Sequence, residues 1–154
     1  MAARAFITGI SGTELTSDER GFLRDTDPWG LILFKRNVSN PHQITELTTS
    51  FRSILGRNAP VLVDQEGGRV QRLGPPNWPA YPPAQALDRL YERDVAVALA
   101  AARLGGRLLA NDLQPLGIDV DCLPCADTPV AEANPVIGDR AYGDRPDKVG
   151  LLAG

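Results

Sequence analysis

Four short apolar runs, each giving way to polar residues and then to a segment of helical period, constrain the fold of this chain more than any other feature. Phe6-Ile7-Thr8-Gly9-Ile10, Trp29-Gly30-Leu31-Ile32-Leu33-Phe34, Val61-Leu62-Val63 and Gly117-Ile118-Asp119-Val120-Asp121-Cys122-Leu123-Pro124 read as strands. The second run is apolar almost throughout, the pattern of a strand covered on both faces. Between the runs, Thr16 or Ser17 caps a helix to about Asp25, with Glu19 in its first turn. Asn40 followed by Pro41 starts a second helix, because the side chain satisfies an orphan amide and the proline presets the backbone. Its stripe of Ile44, Leu47, Phe51 and Leu55 ends at Gly56. A proline-rich connection from Leu73 to Pro83 precedes an alanine-rich helix over about 93–112 that carries Leu99, Leu104 and Leu108. Pro146-Asp147-Lys148-Val149 opens a fourth helix. Alternating strands and helices predict a parallel α/β architecture with ligands at the carboxyl ends of the strands. Four strands fit either a doubly wound sheet or half of an eight-stranded barrel.

Composition narrows the functional classes. The chain has 154 residues, 43% apolar and 23% charged, which suits one domain with a core and not a disordered segment. A net charge of -3 and scattered arginines supply no electrostatic footprint for nucleic acid. No apolar run is long enough to span a bilayer, and the amino terminus lacks a signal-like apolar stretch. A soluble, non-secreted protein with a neutral or mixed-polarity small ligand is expected. Cys122 and Cys125 form a C-x-x-C, but there is no second cysteine pair and His42 is remote in sequence. The expectation is two buried, reduced thiols, with no metal and no cofactor.

The chemistry concentrates where the third strand ends, in Asp64-Gln65-Glu66-Gly67-Gly68-Arg69-Val70-Gln71-Arg72. A carboxylate at a strand exit has an ordered backbone, which suits a group that accepts hydrogen bonds from adjacent hydroxyls. Asp64 could equally brace the turn or pair with Arg69 or Arg72. Glu66 reads as a support that orients an arginine or caps amides. Gly67-Gly68 permits positive φ, but no phosphate-loop spacing is present. If the turn becomes helical, Arg69 and Arg72 project in similar directions, one toward a ligand and one supporting the loop. A second polar group spans Asn134 to Gly143 and contains Asp139 and Arg140. Arg140 either faces Asp64 across a pocket or pairs with Asp139 or Asp144. Asp119 and Asp121 alternate along one strand and, with Asp127, read as structural hydrogen-bonding groups near the mouth and not as a metal site.

Three ordered segments carry a family resemblance: Gly30 to Phe34 with Arg36-Asn37, Val63 to Arg72, and Val136 to Gly143. They are similar to segments of the family 3 glycoside hydrolases, specifically the bacterial cytoplasmic β-N-acetylhexosaminidases that trim N-acetylglucosamine from recycled cell-wall muropeptides. The resemblance implies a (β/α)8 TIM barrel, with residues 1–154 forming its N-terminal half, about the first four strand-helix units. It implies that Asp64, Arg72 and Arg140 bind the terminal sugar, with Glu66, Arg69, Asp127 and Asp139 in support. It implies a retaining mechanism whose aspartate nucleophile and histidine acid/base lie beyond Gly154, so the chain alone carries no catalytic residue. A cytoplasmic protein, monomeric at full length, with an N-acetylglucosamine-containing muropeptide or glycan as partner is implied. A noncatalytic sugar-binding half-barrel is the alternative. The strand-four region departs from the family's common Ala-Pro-Val-Leu-Asp-Val, reading Leu123-Pro124-Cys125-Ala126-Asp127-Thr128.

Overall fold

The computed structural model describes residues 3–130 and 135–154. In chain order the elements are β1 (Arg4–Thr8), α1 (Ser17–Thr26), β2 (Pro28–Leu33), α2 (Pro41–Leu55), β3 (Val61–Val63), β4 (Gln65–Gly67), β5 (Val70–Gln71), α3 (Gln85–Tyr91), α4 (Val95–Leu113), β6 (Val120–Asp121) and α5 (Pro146–Ala153). Strands β1, β2, β3 and β6 lie side by side in that order, all parallel. This is a partial, barrel-like parallel sheet with both edges unpaired among the described residues. The long fourth run pairs only over Val120–Asp121.

Local chemistry sets the helix boundaries. Thr16 accepts from the Glu19 amide, and Glu19 reaches back to the Thr16 amide at 2.8 Å, a capping box. Asn40 accepts from the Gln43 amide at 3.0 Å, and Gly56 closes α2 in a left-handed conformation. The stripe of α2 packs as its spacing requires. Ile44, Leu47 and Phe51 are buried against Leu31, Leu33, Val61 and Val63. The expectation that β2 is covered on both faces is corrected. Leu31 and Leu33 are fully buried, while Ile32, which alternates to the other face, is half-buried. The helices pack one face of the sheet and leave the other partly open.

A second, smaller cluster joins α3, α4 and α5 through Ala84, Ala98, Tyr142, Val149 and Leu152. Helix α4 buries Ala98, Leu109 and Leu113, whereas Leu104 and Leu108 face outward, at 57% and 46% exposed. Helix α3, seven residues long with Leu87, Leu90 and Tyr91 packed on this cluster, has no counterpart in the sequence reading.

The segment after β3 is not helical. β4 and β5 form an antiparallel hairpin around Gly67 and Gly68, whose φ values are +90° and +58°. The proline-rich connection lies against this turn. A Cβ on Gly67 would collide with the Pro82 carbonyl, and one on Gly68 would stand 2.7 Å from the Pro83 ring. The Gly68 amide donates to the Tyr81 carbonyl at 2.8 Å, and Gln71 ties the same connection down through Leu73, Pro79 and Tyr81.

The two strand aspartates are structural, but only one is near the strand exits. Asp119 sits where β3 begins, accepting from the Val61 amide at 2.8 Å and from Arg52 at 2.7 Å. Arg52 also donates to the Gly117 carbonyl at 2.7 Å. Asp121 accepts from the Gln65 amide at 2.9 Å, holding the start of the hairpin to β6. Its other oxygen is buried without a partner. Burial, with the Asp64 and Glu66 charges nearby, pushes the Asp121 carboxyl up to about 6 from an ordinary 3.8, against the pull of the Gln65 amide.

Gly67→Ala is expected to lower unfolding free energy by about 1–3 kcal/mol, through forced positive φ and the Pro82 clash. Urea denaturation checks this; a loss under about 0.5 kcal/mol would show that the turn relaxes freely. Asp121 carries its own pH signature. Between about pH 4 and 6 the unfolded carboxyl has released its proton while the folded one retains it, so stability falls as pH rises through this window. Asp121→Asn keeps an acceptor for Gln65 and should melt higher than the parent at pH 7, with a flatter dependence between pH 4 and 6. Parallel melting curves for the two proteins would contradict this account.

Candidate functional site

Three short segments converge at the carboxyl ends of the strands: the exit of β3, the returning arm of the hairpin, and the turn at Gly138–Arg140. Asp64 follows Val63 directly and so inherits the fixed position of a strand buried at every residue. The hairpin reverses the chain, and Arg72 comes back to place its Nη2 2.5 Å from Asp64 Oδ2. Both side chains are 23% exposed, so water and solutes reach the pair. Of the two arginines offered by the sequence as partners of Asp64, the structure pairs Arg72. Arg72 Nε is buried and has no hydrogen-bond partner. The guanidinium also lies 5.9 Å from the centre of the Phe34 ring, with Arg36 over the same ring at 4.6 Å.

Gln65 is the residue that sequence reasoning passed over. It is fully buried. Its Oε1 accepts from the Arg72 and Leu73 amides, both at 3.0 Å, and its Nε2 donates to the Leu73 carbonyl at 2.8 Å. One side-chain amide therefore fixes the backbone of Arg72 relative to Asp64. A glutamine sandwiched between two acids in a glycine-rich turn reads as solvent-facing, and only the hairpin register reveals it.

Glu66 and Arg140 form the second pair. Arg140 Nε and Nη2 reach Glu66 Oε2 and Oε1 at 2.9 and 2.7 Å, a bidentate fork. Glu66 is the more buried partner, with its side chain 6% exposed against 24% for Arg140. The Glu66 bond holds the Arg140 guanidinium proton more tightly than usual, despite the opposing effect of burial. Glu66 thus orients an arginine, as its position in the sequence suggested, and Arg140 takes neither Asp139 nor Asp144. Asp139 instead accepts from Arg69 Nε at 2.8 Å, while Arg69 Nη2 donates to the carbonyls of Val136 and Ile137. Arg69 therefore clamps the loop that carries Arg140 and does not point with Arg72. These two arginines bind the hairpin to the post-β6 segment across about seventy residues of sequence. Asn134, at the start of the second polar motif, lies outside the described residues.

Asp127 is exposed, and its carboxylate accepts from the Cys125 thiol at 3.3 Å, apart from the two arginine pairs. The two cysteines are not alike. Cys125 is buried as expected, but Cys122 is exposed, because it leaves β6 beside Asp64 on the open part of the sheet. Tyr142 is buried next to this cluster, and burial, with the charges of Glu66 and Asp121, pushes its hydroxyl up to about 12. A cavity of about 260 Å³ between α3, α4 and α5 backs onto Glu66 and Tyr142. Its lining is mostly Ala, Leu, Gly and Pro, and it touches neither Asp64 nor Arg72. It belongs to helix packing, whereas the polar groups gather at the strand exits. Among the described residues no group of three or more His, Cys, Asp or Glu could hold a metal, and no helix is long and apolar enough to cross a membrane. Carboxylates held by guanidinium groups that are partly open to solvent, with an aromatic ring alongside, suit a polyhydroxylated ligand.

Comparison with known proteins agrees with this chemistry. The chain is 38% identical over 143 residues to a β-hexosaminidase of Xanthomonas axonopodis pv. citri (strain 306), covering 93% of this chain and 42% of that protein. It is 38% identical over 147 residues to a β-hexosaminidase of Xylella fastidiosa (strain M23), covering 96% and 43%. The chain thus spans less than half the length of these curated relatives. NagZ from Neisseria gonorrhoeae, solved in complex with N-trifluoroacetyl-D-glucosamine, superposes with a TM-score of 0.88 at 32% identity, over 98% of this chain and 45% of that one. A family 3 β-N-acetylglucosaminidase from Paenibacillus sp. str. FPU-7 superposes with a TM-score of 0.82 at 27% identity, over 96% and 28%. The model of the glycosyl hydrolase family 3 N terminal domain matches residues 7–154, and on this match the chain belongs to glycosyl hydrolase family 3.

Proposed function

We propose that this chain is the sugar-recognising half of a retaining exo-β-N-acetylhexosaminidase that removes terminal non-reducing N-acetylglucosamine from muropeptides during cell-wall recycling in the cytoplasm. The observation that carries the reading is the Asp64–Arg72 pair at the strand exits, both side chains partly open to solvent. It is supported by relatives named β-hexosaminidase and by a similar fold solved with a glucosamine derivative. In this reading Asp64 accepts from adjacent sugar hydroxyls, while Arg72 and Arg140 donate to ring substituents. Glu66 holds Arg140, and Arg69 with Asp139 holds the loop. Asp127 supports the same loop region from the segment after β6. Two unpaired thiols suit a reducing compartment.

Residues 1–154 stand, in this proposal, as the N-terminal half of a (β/α)8 barrel. The two groups that flank the scissile bond in a retaining hydrolase must stand about 5 Å apart on opposite sides of it. Asp64 and Glu66 do not fill those roles, because each is already bound by a guanidinium and both leave the same short segment. The nucleophile and the acid/base are assigned to the remainder of a family-length protein.

Purified residues 1–154 should release no chromophore from a chromogenic N-acetylglucosaminide; turnover that survives removal of contaminants would overturn the assignment. In a family-length protein, Asp64→Ala should lower kcat/KM roughly 30- to 150-fold, the effect of about 2–3 kcal/mol when one partner of a buried hydrogen-bonded set is removed. An unchanged kcat/KM would remove Asp64 from sugar recognition.

A further inference from the structure

The proline-rich connection is held against the Gly67–Gly68 turn at Tyr81, whose three polar groups are all engaged. Its carbonyl accepts from the Gly68 amide at 2.8 Å, and its amide donates to Gln71 Oε1 at 2.9 Å. One bond grips the turn and the other grips β5, one residue before Arg72. The hydroxyl leaves the hairpin for the helix layer and donates to Asp112 Oδ2 at 2.6 Å. Asp112 lies in the last turn of α4. An acid at that end opposes the helix dipole, which favours cations there, and no basic residue of the turn offsets it. Helix chemistry alone therefore gives this position no reason to be acidic. Among the described residues, the one hydrogen-bond partner of the Asp112 carboxylate is Tyr81.

We propose that the Tyr81–Asp112 bond is a strut of the sugar pocket, with Tyr81 a positioning residue that fixes the hairpin, and through it Arg72, against α4. The proposal rests on the sugar-site reading above. It divides the placing of Arg72 between two residues. Gln65 bonds the Arg72 and Leu73 amides and sets the internal shape of the returning arm, but none of its bonds reaches a helix. Tyr81 supplies that tie, and α4 is a firm anchor because Leu109 and Leu113, on either side of Asp112 in sequence, are buried. The hydroxyl stays a donor at any ordinary pH, since burial, then the hydrogen bond and charge of Asp112, push it up to about 12. Among the described residues no hydrogen bond joins Tyr81 or Asp112 to Asp64 or to the Arg72 side chain, so their effect on a bound sugar passes through the hairpin backbone.

The test uses the 154-residue chain. N-acetylglucosamine is titrated by heteronuclear NMR into the parent, Asp64→Ala, Tyr81→Phe, Asp112→Ala and Asp112→Asn. Folds are compared from the same spectra, and stabilities by thermal melting. Tyr81→Phe deletes a single oxygen and should weaken binding about 2- to 10-fold, the value of one net hydrogen bond. It should also shift the Arg72 amide and Nε signals. Asp112→Ala should do the same from the other end of the bond, and the two changes together should cost no more than either alone. Asp112→Asn keeps an acceptor for the tyrosine and should recover most of what Asp112→Ala loses. A role confined to stability would lower the melting temperature of Tyr81→Phe while its folded form kept the parent's affinity and Arg72 signals. That result, or an Asp112→Asn as damaging as Asp112→Ala, would overturn the strut and leave the sugar site intact. Binding that Asp64→Ala does not weaken, or no binding by the parent, would overturn the sugar-site reading itself and this inference with it.

Discussion

The reversal of the chain at Gly67 and Gly68 is the constraint on which the rest of the site depends. A carboxylate at the end of a parallel strand faces open solvent unless the following residues return to it. Here they return within eight positions, because two glycines adopt positive φ and the prolines behind them leave no room for side chains. Gln65 then locks the returning arm by spending its whole amide on Arg72 and Leu73. The usual cost of burying an amide is avoided because its donor and its acceptor are both bonded. Arg72 is thereby placed by buried backbone contacts and not by its own attraction to Asp64.

A second principle is the balance of charge. Asp64, Glu66 and Asp121 crowd one end of the sheet, and two guanidiniums answer them. Asp64 and Glu66 each receive one. Asp121 receives only a backbone amide, and its acidity weakens accordingly. The surplus acid is tolerated because it sits at the exit of β6, where protonation costs little near neutral pH. The Glu66–Arg140 fork is the more deeply buried pair, and a fork of that kind specifies geometry better than it adds stability.

Much of the fold was legible in the sequence for identifiable reasons. Asn40-Pro41 and Gly56 bracket α2 almost to the residue, because caps act through local backbone groups. The stripe of Ile44, Leu47 and Phe51 packs as read, since a period of 3.6 admits one apolar face. The hairpin was missed: β4 and β5 are held by two glutamines, Gln65 and Gln71, and by prolines eight or more residues away, and no local period marks that. Covered faces were overestimated for β2, because a run of apolar residues reports strand character but not how many layers pack on it. At the site, the sequence placed Asp64, Glu66, Arg72 and Arg140 in one region but left their partners open. Pairing is a matter of reach across some seventy residues, which spacing alone does not set. The exposure of Cys122 was likewise invisible, because alternation along β6 gives a face but not whether that face is covered.

The solvent accessibility of the Asp64–Arg72 pair has a consequence for how such a pocket behaves in different media. A half-open ion pair weakens as dissolved ions gather around it, whereas the Glu66–Arg140 fork, more deeply enclosed, is shielded from them. Rising electrolyte would thus slacken one jaw of the site and leave the other stiff, and the shape offered to a ligand becomes partly a property of the surrounding solution.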